Sequence, residues 1–98
     1  VILCRVIRSF RDKQTEAIWL GNAVRRLPIE VQEVARRKLR MLNNAQTLAD
    51  LRIPPANRLE ALKGDRKGQH SIRINDQWRV CFVWTGKDAE SVEIVDYH

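Results

Sequence analysis

The stretch from Leu62 to Trp84, LKGDRKGQHSIRINDQWRVCFVW, constrains this chain more than any other. It reads as a basic loop followed by a β-hairpin. In the loop, Gly64 and Gly68 can take backbone angles closed to other residues, which leaves Lys63, Arg66 and Lys67 to point outward. Beyond it, residues 70–74 alternate with Ile72 and Ile74 on one face, and residues 78–84 alternate with Trp78, Val80, Phe82 and Trp84 on one face. A two-residue Asn75-Asp76 turn would set Ile72 opposite Arg79 and mix the faces. A three-residue loop, Asn75 to Gln77, pairs Ile74 with Trp78 and Ile72 with Val80, and this register is preferred. It sets Arg73 directly across from Arg79, a like-charge pair that a sheet tolerates poorly unless something anionic lies over it. That pairing is a first hint of a phosphate site. His70 shares the apolar face with Ile72, so packing outweighs catalysis as its expected role.

The rest of the chain supplies elements to pack against this hairpin. VIRSF, residues 6–10, reads as a short first strand. Asp12 can cap a helix that Gly21 stops, with Ala17, Ile18 and Leu20 as its apolar surface and Trp19 packing. Pro28 suits the first turn of a second helix, residues 28–45, on which Val31, Val34, Ala35, Leu39 and Leu42 form one stripe. On its other side lie Arg36, Arg37 and Arg40, with Glu33 spaced to pair with Arg36 or Arg37. A solvated face laced with weak ion pairs is the simpler account of these arginines, and contact with RNA the sharper one. Leu48 to Leu51 ends the helical region, and Pro54-Pro55 enforces an extended crossing into a strand that begins near Arg58. A final strand, residues 91–96, follows the Gly86-Lys87-Asp88 turn. The fold class expected is α+β, with two N-terminal helices packed on a small antiparallel twisted sheet in a single domain over residues 1–98.

Charge narrows the function. The net charge is +6, and residues 1–44 carry ten Lys/Arg against four Asp/Glu, so an anionic partner such as nucleic acid is a natural candidate. Apolar runs are only a few residues long, and VILC is broken too soon by Arg5 to form a signal peptide's apolar region, so cytoplasmic residence is expected. Cys4 and Cys81 match no metal-ligand spacing and are expected as two reduced thiols.

VIRSF at the start, NRLEALKGDRKGQHSIRINDQWRVCFVW in the middle and VEIVDYH at the end resemble the HigB-type toxins of the RelE superfamily, the mRNA-cleaving halves of bacterial toxin–antitoxin pairs. The LKGDR run, the GxxSI after it and the WR dipeptide on the next strand carry the likeness in order and spacing. Members of that family open with Met-Ile-x-Ser-Phe, so Val6 stands at the initiator's place and residues 1–5 are expected to lie outside the native fold. The resemblance implies a RelE-like fold and a ribosome-dependent endoribonuclease that cuts mRNA in the decoding site with no metal or other cofactor. Its partners would be the 70S ribosome, mRNA and a HigA-like helix-turn-helix antitoxin, with operator DNA reached only through that antitoxin. The chemistry implied is attack of a ribose 2′-hydroxyl on the adjacent phosphate, which needs a base, cations and an acid. His98 matches a terminal catalytic histidine, Tyr97 a catalytic tyrosine, Asp96 an acidic residue that orients the site or moves a proton, Arg79 the phosphate-binding arginine of WR, and Lys63 the lysine of LKG. Some members place a histidine three residues before that lysine, where this chain has Glu60, a further catalytic candidate. Glu60 can act as a base only if its surroundings raise its pKa, and among lysines and arginines it is expected to stay ionised and pair with them. Arg66, Lys67, Arg73, Arg36, Arg37 and Arg40 are the candidate RNA contacts. A RelE-fold toxin acting on gyrase, as the ParE type does, and a non-catalytic RNA-binding module are the alternatives.

Overall fold

Two helices lie on one face of a four-stranded antiparallel sheet, in a computed structural model that describes residues 6–96. Residues 1–5, with the expectation placed on them, lie outside the described residues. Helix α1 spans Lys13–Trp19, and Asp12 caps it by accepting the Thr15 N–H at 2.6 Å. Past its end Gly21 takes φ +94°, the left-handed angle that lets the chain turn away. Helix α2 spans Ile29–Asn44 and buries Val31, Ala35, Leu39 and Leu42 as one stripe, with Val34 half-buried. Pro28 sits at its N-cap position rather than inside the first turn.

The strands are β1 Glu60–Ala61, β2 Gln69–Arg73, β3 Trp78–Trp84 and β4 Ala89–Asp96, in that spatial order. The β2–β3 register is the one expected: Ile72 faces Val80, Arg73 faces Arg79, and Ile74 N–H donates to the Trp78 carbonyl at 2.9 Å. Asn75 closes the loop by accepting the N–H groups of Gln77 and Trp78, both at 2.8 Å. Ile72, Trp78, Val80 and Phe82 meet Val92 and Ile94 under the helices, in one core with Ile18, Leu39 and Leu51. His70 stacks on Phe82 on that face, with ring centroids 6.3 Å apart. Trp19 packs against the core beside Phe10.

Three local expectations need correction. Residues 6–10 form no continuous strand; they run parallel to β4 and touch it through isolated bridges, Ile7 to Ala89 and Phe10 to Val92. The cause is an irregularity in β4, where three steps from Glu90 to Glu93 answer two steps from Val83 to Cys81, and Ser91 takes φ +52°. The Ser91 N–H goes to the Ser9 hydroxyl at 2.9 Å, which breaks the ladder between the bridges. The Pro54-Pro55 crossing is extended only at Pro54, because Pro55 opens a 3₁₀ turn, Pro55–Asn57, that follows another at Leu48–Arg52. Among the described residues Glu33 makes no ion pair with Arg36 or Arg37; Arg36 instead donates from Nε to the Ile18 carbonyl at 2.9 Å and ties α2 to the end of α1.

Buried polar groups join the layers. Thr15 Oγ1 accepts the Ile94 N–H at 3.0 Å, locking α1 to β4. Gln32 fastens the loop between the helices, donating to the carbonyls of Val24 and Leu27 at 2.7 and 2.6 Å. No described helix is long and apolar enough to cross a membrane.

Candidate active site

The face of the sheet turned away from the helices carries a different set of side chains. Alternation puts Glu60, Ser71, Arg73, Arg79, Cys81 and Glu93 there, since Glu60 faces Ser71, Ser71 faces Cys81, and Cys81 faces Glu93. Arg79 is its centre. The residue is only 8% exposed, and among the described residues its guanidinium is held by Ser71 Oγ, which takes Nε–H at 2.8 Å, by the Arg58 carbonyl, which takes an Nη2 proton at 2.7 Å, and by Glu60, whose Oε1 lies 3.0 Å from Nη1. Arg58 aims its carbonyl from a left-handed conformation, φ 44°, at the end of the Pro55–Asn57 turn. Ser71 comes from the neighbouring strand and Glu60 from the strand beyond, so segments distant in sequence hold one cation.

The like-charge pair of the hairpin is answered locally. Arg73 pairs with Asp76 in the turn, and Arg79 with Glu60 on β1. Glu60 therefore pairs with a cation, as its setting suggested. Lys38, which sequence reasoning passed over, stands near Arg73; its pKa is lowered by burial and then by the charges of Arg37 and Arg73, and it donates to Asn57 Oδ1 at 2.5 Å. Only burial toward Asn57 distinguishes it from its arginine neighbours, and helical periodicity alone does not show that.

Asp96 sits one position along β4 from Val95, the residue opposite Arg79, and accepts from Gln77 Nε2 at 3.1 Å. Tyr97 and His98, which follow it, lie outside the described residues. Lys63 and Lys67 are exposed around the 3₁₀ turn Gly64–Arg66, beyond the pairing of Leu62 with Gln69. Gln69 faces Val83, five residues along β3 from Trp78 and Asp96, a separation of roughly 17 Å by strand rise. The register thus puts Glu60, Arg73 and Arg79 on one face, whereas Asp96, opposite Trp78, falls by alternation on the other face at the end of β4; Lys63 follows Leu62, which pairs with Gln69 at the start of β2. Arg66 does not point outward: it donates to Glu93 at 2.6 Å and to Gln69 Oε1 at 3.1 Å, and Arg11 approaches the same Glu93 at 3.8 Å. Arg37 and Arg40 are exposed on α2, whereas Arg36 is partly buried against α1. Cys81, between these ion pairs, is no nucleophile, because burial pushes its thiol up to about 11.

The chain is 45% identical over 77 residues to Toxin HigB-1 of Vibrio cholerae, covering 78% of this chain and 81% of that protein. It is 27% identical over 93 residues to Endoribonuclease HigB of Proteus vulgaris, covering 95% of this chain and all of the relative, and 32% identical over 84 residues to an uncharacterized protein of Haemophilus influenzae. Residues 8–98 match the family described as the RelE-like toxin of type II toxin-antitoxin system HigB. With its two helices on a four-stranded antiparallel sheet and a match over nearly its whole length, the chain belongs to the HigB-like, RelE-fold toxins of type II toxin–antitoxin systems.

Proposed function

We propose that this toxin is a ribosome-dependent mRNA endoribonuclease that cuts in the decoding site without a metal, leaving a 2′,3′-cyclic phosphate and a free 5′-hydroxyl. The observation that carries the reading is the immobilised guanidinium of Arg79, held by Ser71 and the Arg58 carbonyl before any substrate arrives. A cation fixed in advance stabilises charge developing on a phosphate with little reorganisation. In this reading Arg79 faces the scissile phosphate, and His98 carries a proton between the 2′-hydroxyl and the leaving oxygen. Tyr97 stacks on a base or touches the phosphate, Asp96 orients the terminal pair, and Lys63 adds positive charge. Lys67, Arg37 and Arg40, exposed on the surface, meet RNA backbone, with Arg73 at the edge of the site. The relative named an endoribonuclease supports the reaction class.

A type II toxin has an antitoxin, and a HigA-like helix-turn-helix protein is the partner proposed, with operator DNA bound only through it. The site of action is the cytoplasm, where the ribosome is. Primer-extension mapping of mRNA on translating ribosomes, with and without the ribosome, tests the reading. Wild type is expected to cut only with ribosomes present, and His98→Ala and Arg79→Lys to lose activity by about a hundredfold or more. Intact mRNA with the wild-type protein would leave the gyrase or non-catalytic alternatives.

A further inference from the structure

The acceptors that Ser71, Arg58 and Glu60 offer to Arg79 differ in how firmly they are held. Ser71 is fully buried and the Arg58 group is a main-chain carbonyl, so both are fixed parts of the scaffold. Glu60 is neither. It occupies a two-residue edge strand, and its side chain is 49% exposed against 10% for Arg79. A guanidinium donates to carboxylate or phosphate through the same planar set of N–H groups. Glu60 therefore presents to Arg79, from the solvent side, a group with the charge and hydrogen-bonding character of the anion that RNA would bring.

We infer that Glu60 is a built-in competitor for the anion site on Arg79. In the resting protein its carboxylate occupies the accessible side of the guanidinium, and an RNA phosphate displaces it into water, where a half-exposed carboxylate is readily solvated. Glu60 then acts as a positioning residue that weakens RNA binding, and it takes no proton. This role rests on the ribonuclease reading for the identity of the anion. The contact itself is independent of the chemistry.

The test is fluorescence anisotropy of the full chain with a short 2′-O-methyl RNA, which cannot be cleaved because the attacking hydroxyl is blocked. Glu60→Gln is expected to tighten binding by about two- to fivefold, the range for releasing a half-exposed ion pair. Glu60→Asp, whose carboxylate is one methylene short of Arg79, is expected to fall between the two. Glu30→Gln makes the same change in net charge in the first turn of α2, away from the site, and is expected to leave affinity almost unchanged. Unchanged or weaker binding by Glu60→Gln, or equal tightening by Glu30→Gln, would overturn the inference. On translating ribosomes Glu60→Gln is expected to cut at least as fast as wild type. Loss of cleavage by a tighter-binding Glu60→Gln would show a part in the chemistry and also overturn it. Tighter binding with no cleavage by either protein would remove the ribonuclease reading and leave the competitor role standing.

Discussion

Replacing Arg79 by Met keeps the length of the side chain and removes its charged head, and the fold itself should register the loss. Ser71 Oγ, fully buried, would lose the donor 2.8 Å away, and the Arg58 carbonyl the donor 2.7 Å away. Hydrogen bonds from a charged donor are worth about 1.5–3 kcal/mol each, and part of that returns through burial of the methionine thioether. Glu60 adds little because it is 49% exposed, a setting in which ion pairs are worth about 1 kcal/mol or less. The expected loss is therefore roughly 2–4 kcal/mol, which for a domain of this size lowers the midpoint of thermal unfolding by about 10 °C or more. Urea and thermal unfolding by circular dichroism measure it, with Glu60→Gln as the control expected to stay within about 1 kcal/mol of wild type. An Arg79→Met protein as stable as wild type would refute the claim that this guanidinium is anchored by buried acceptors. The same reasoning makes Arg79→Lys, which retains a cation, the better variant for testing loss of activity without loss of the fold.

Other outcomes follow from single contacts. Thr15→Val keeps the shape but orphans the Ile94 N–H, and should cost about 1–3 kcal/mol in urea unfolding. Cys81, whose thiol is raised from 9.0 to about 11 by burial, binds its proton more tightly folded than unfolded. Its stabilising contribution is thus complete below pH 9 and is lost as pH rises toward 11; Cys81→Ala should flatten the alkaline fall in stability by about 2 kcal/mol, read by urea unfolding between pH 8 and 10.5. A tag fused directly after His98 should impair mRNA cleavage by crowding its imidazole, and full activity in the fusion would count against a catalytic His98.

Much of the scaffold was legible because its signals are local. The period-two pattern of β2 and β3 forces one register, since the alternative scrambles buried and exposed faces. Asp12, Gly21 and the Val31 to Leu42 stripe similarly mark α1 and α2. What stayed hidden depends on partners distant in sequence. Arg79 could be seen to face Arg73, but its anchors come from residues 58, 60 and 71, whose approach depends on the turn after Pro54. Arg66 sits in a glycine-punctuated loop, and nothing nearby in sequence announces that Glu93, 27 residues on, draws it back over the sheet. Thr15, Gln32 and Asn57 look like surface residues by type and are buried because each finds a partner inside. The break in the first strand follows from Ser91, at which a positive φ is uncommon for a residue with a side chain.

Residues 6–10, lying along β4, also bear on how the toxin behaves in company. They take up main-chain groups on that flank, with Arg8 N–H donating to Ala89 and Arg11 N–H to Val92, and Asn43 ties the segment down by accepting from Val6 and Ile7. The opposite flank ends in a strand of two residues. A second molecule seeking to extend this sheet by strand addition therefore finds one border occupied and the other too brief for more than a few rungs, which disfavours self-association into fibres.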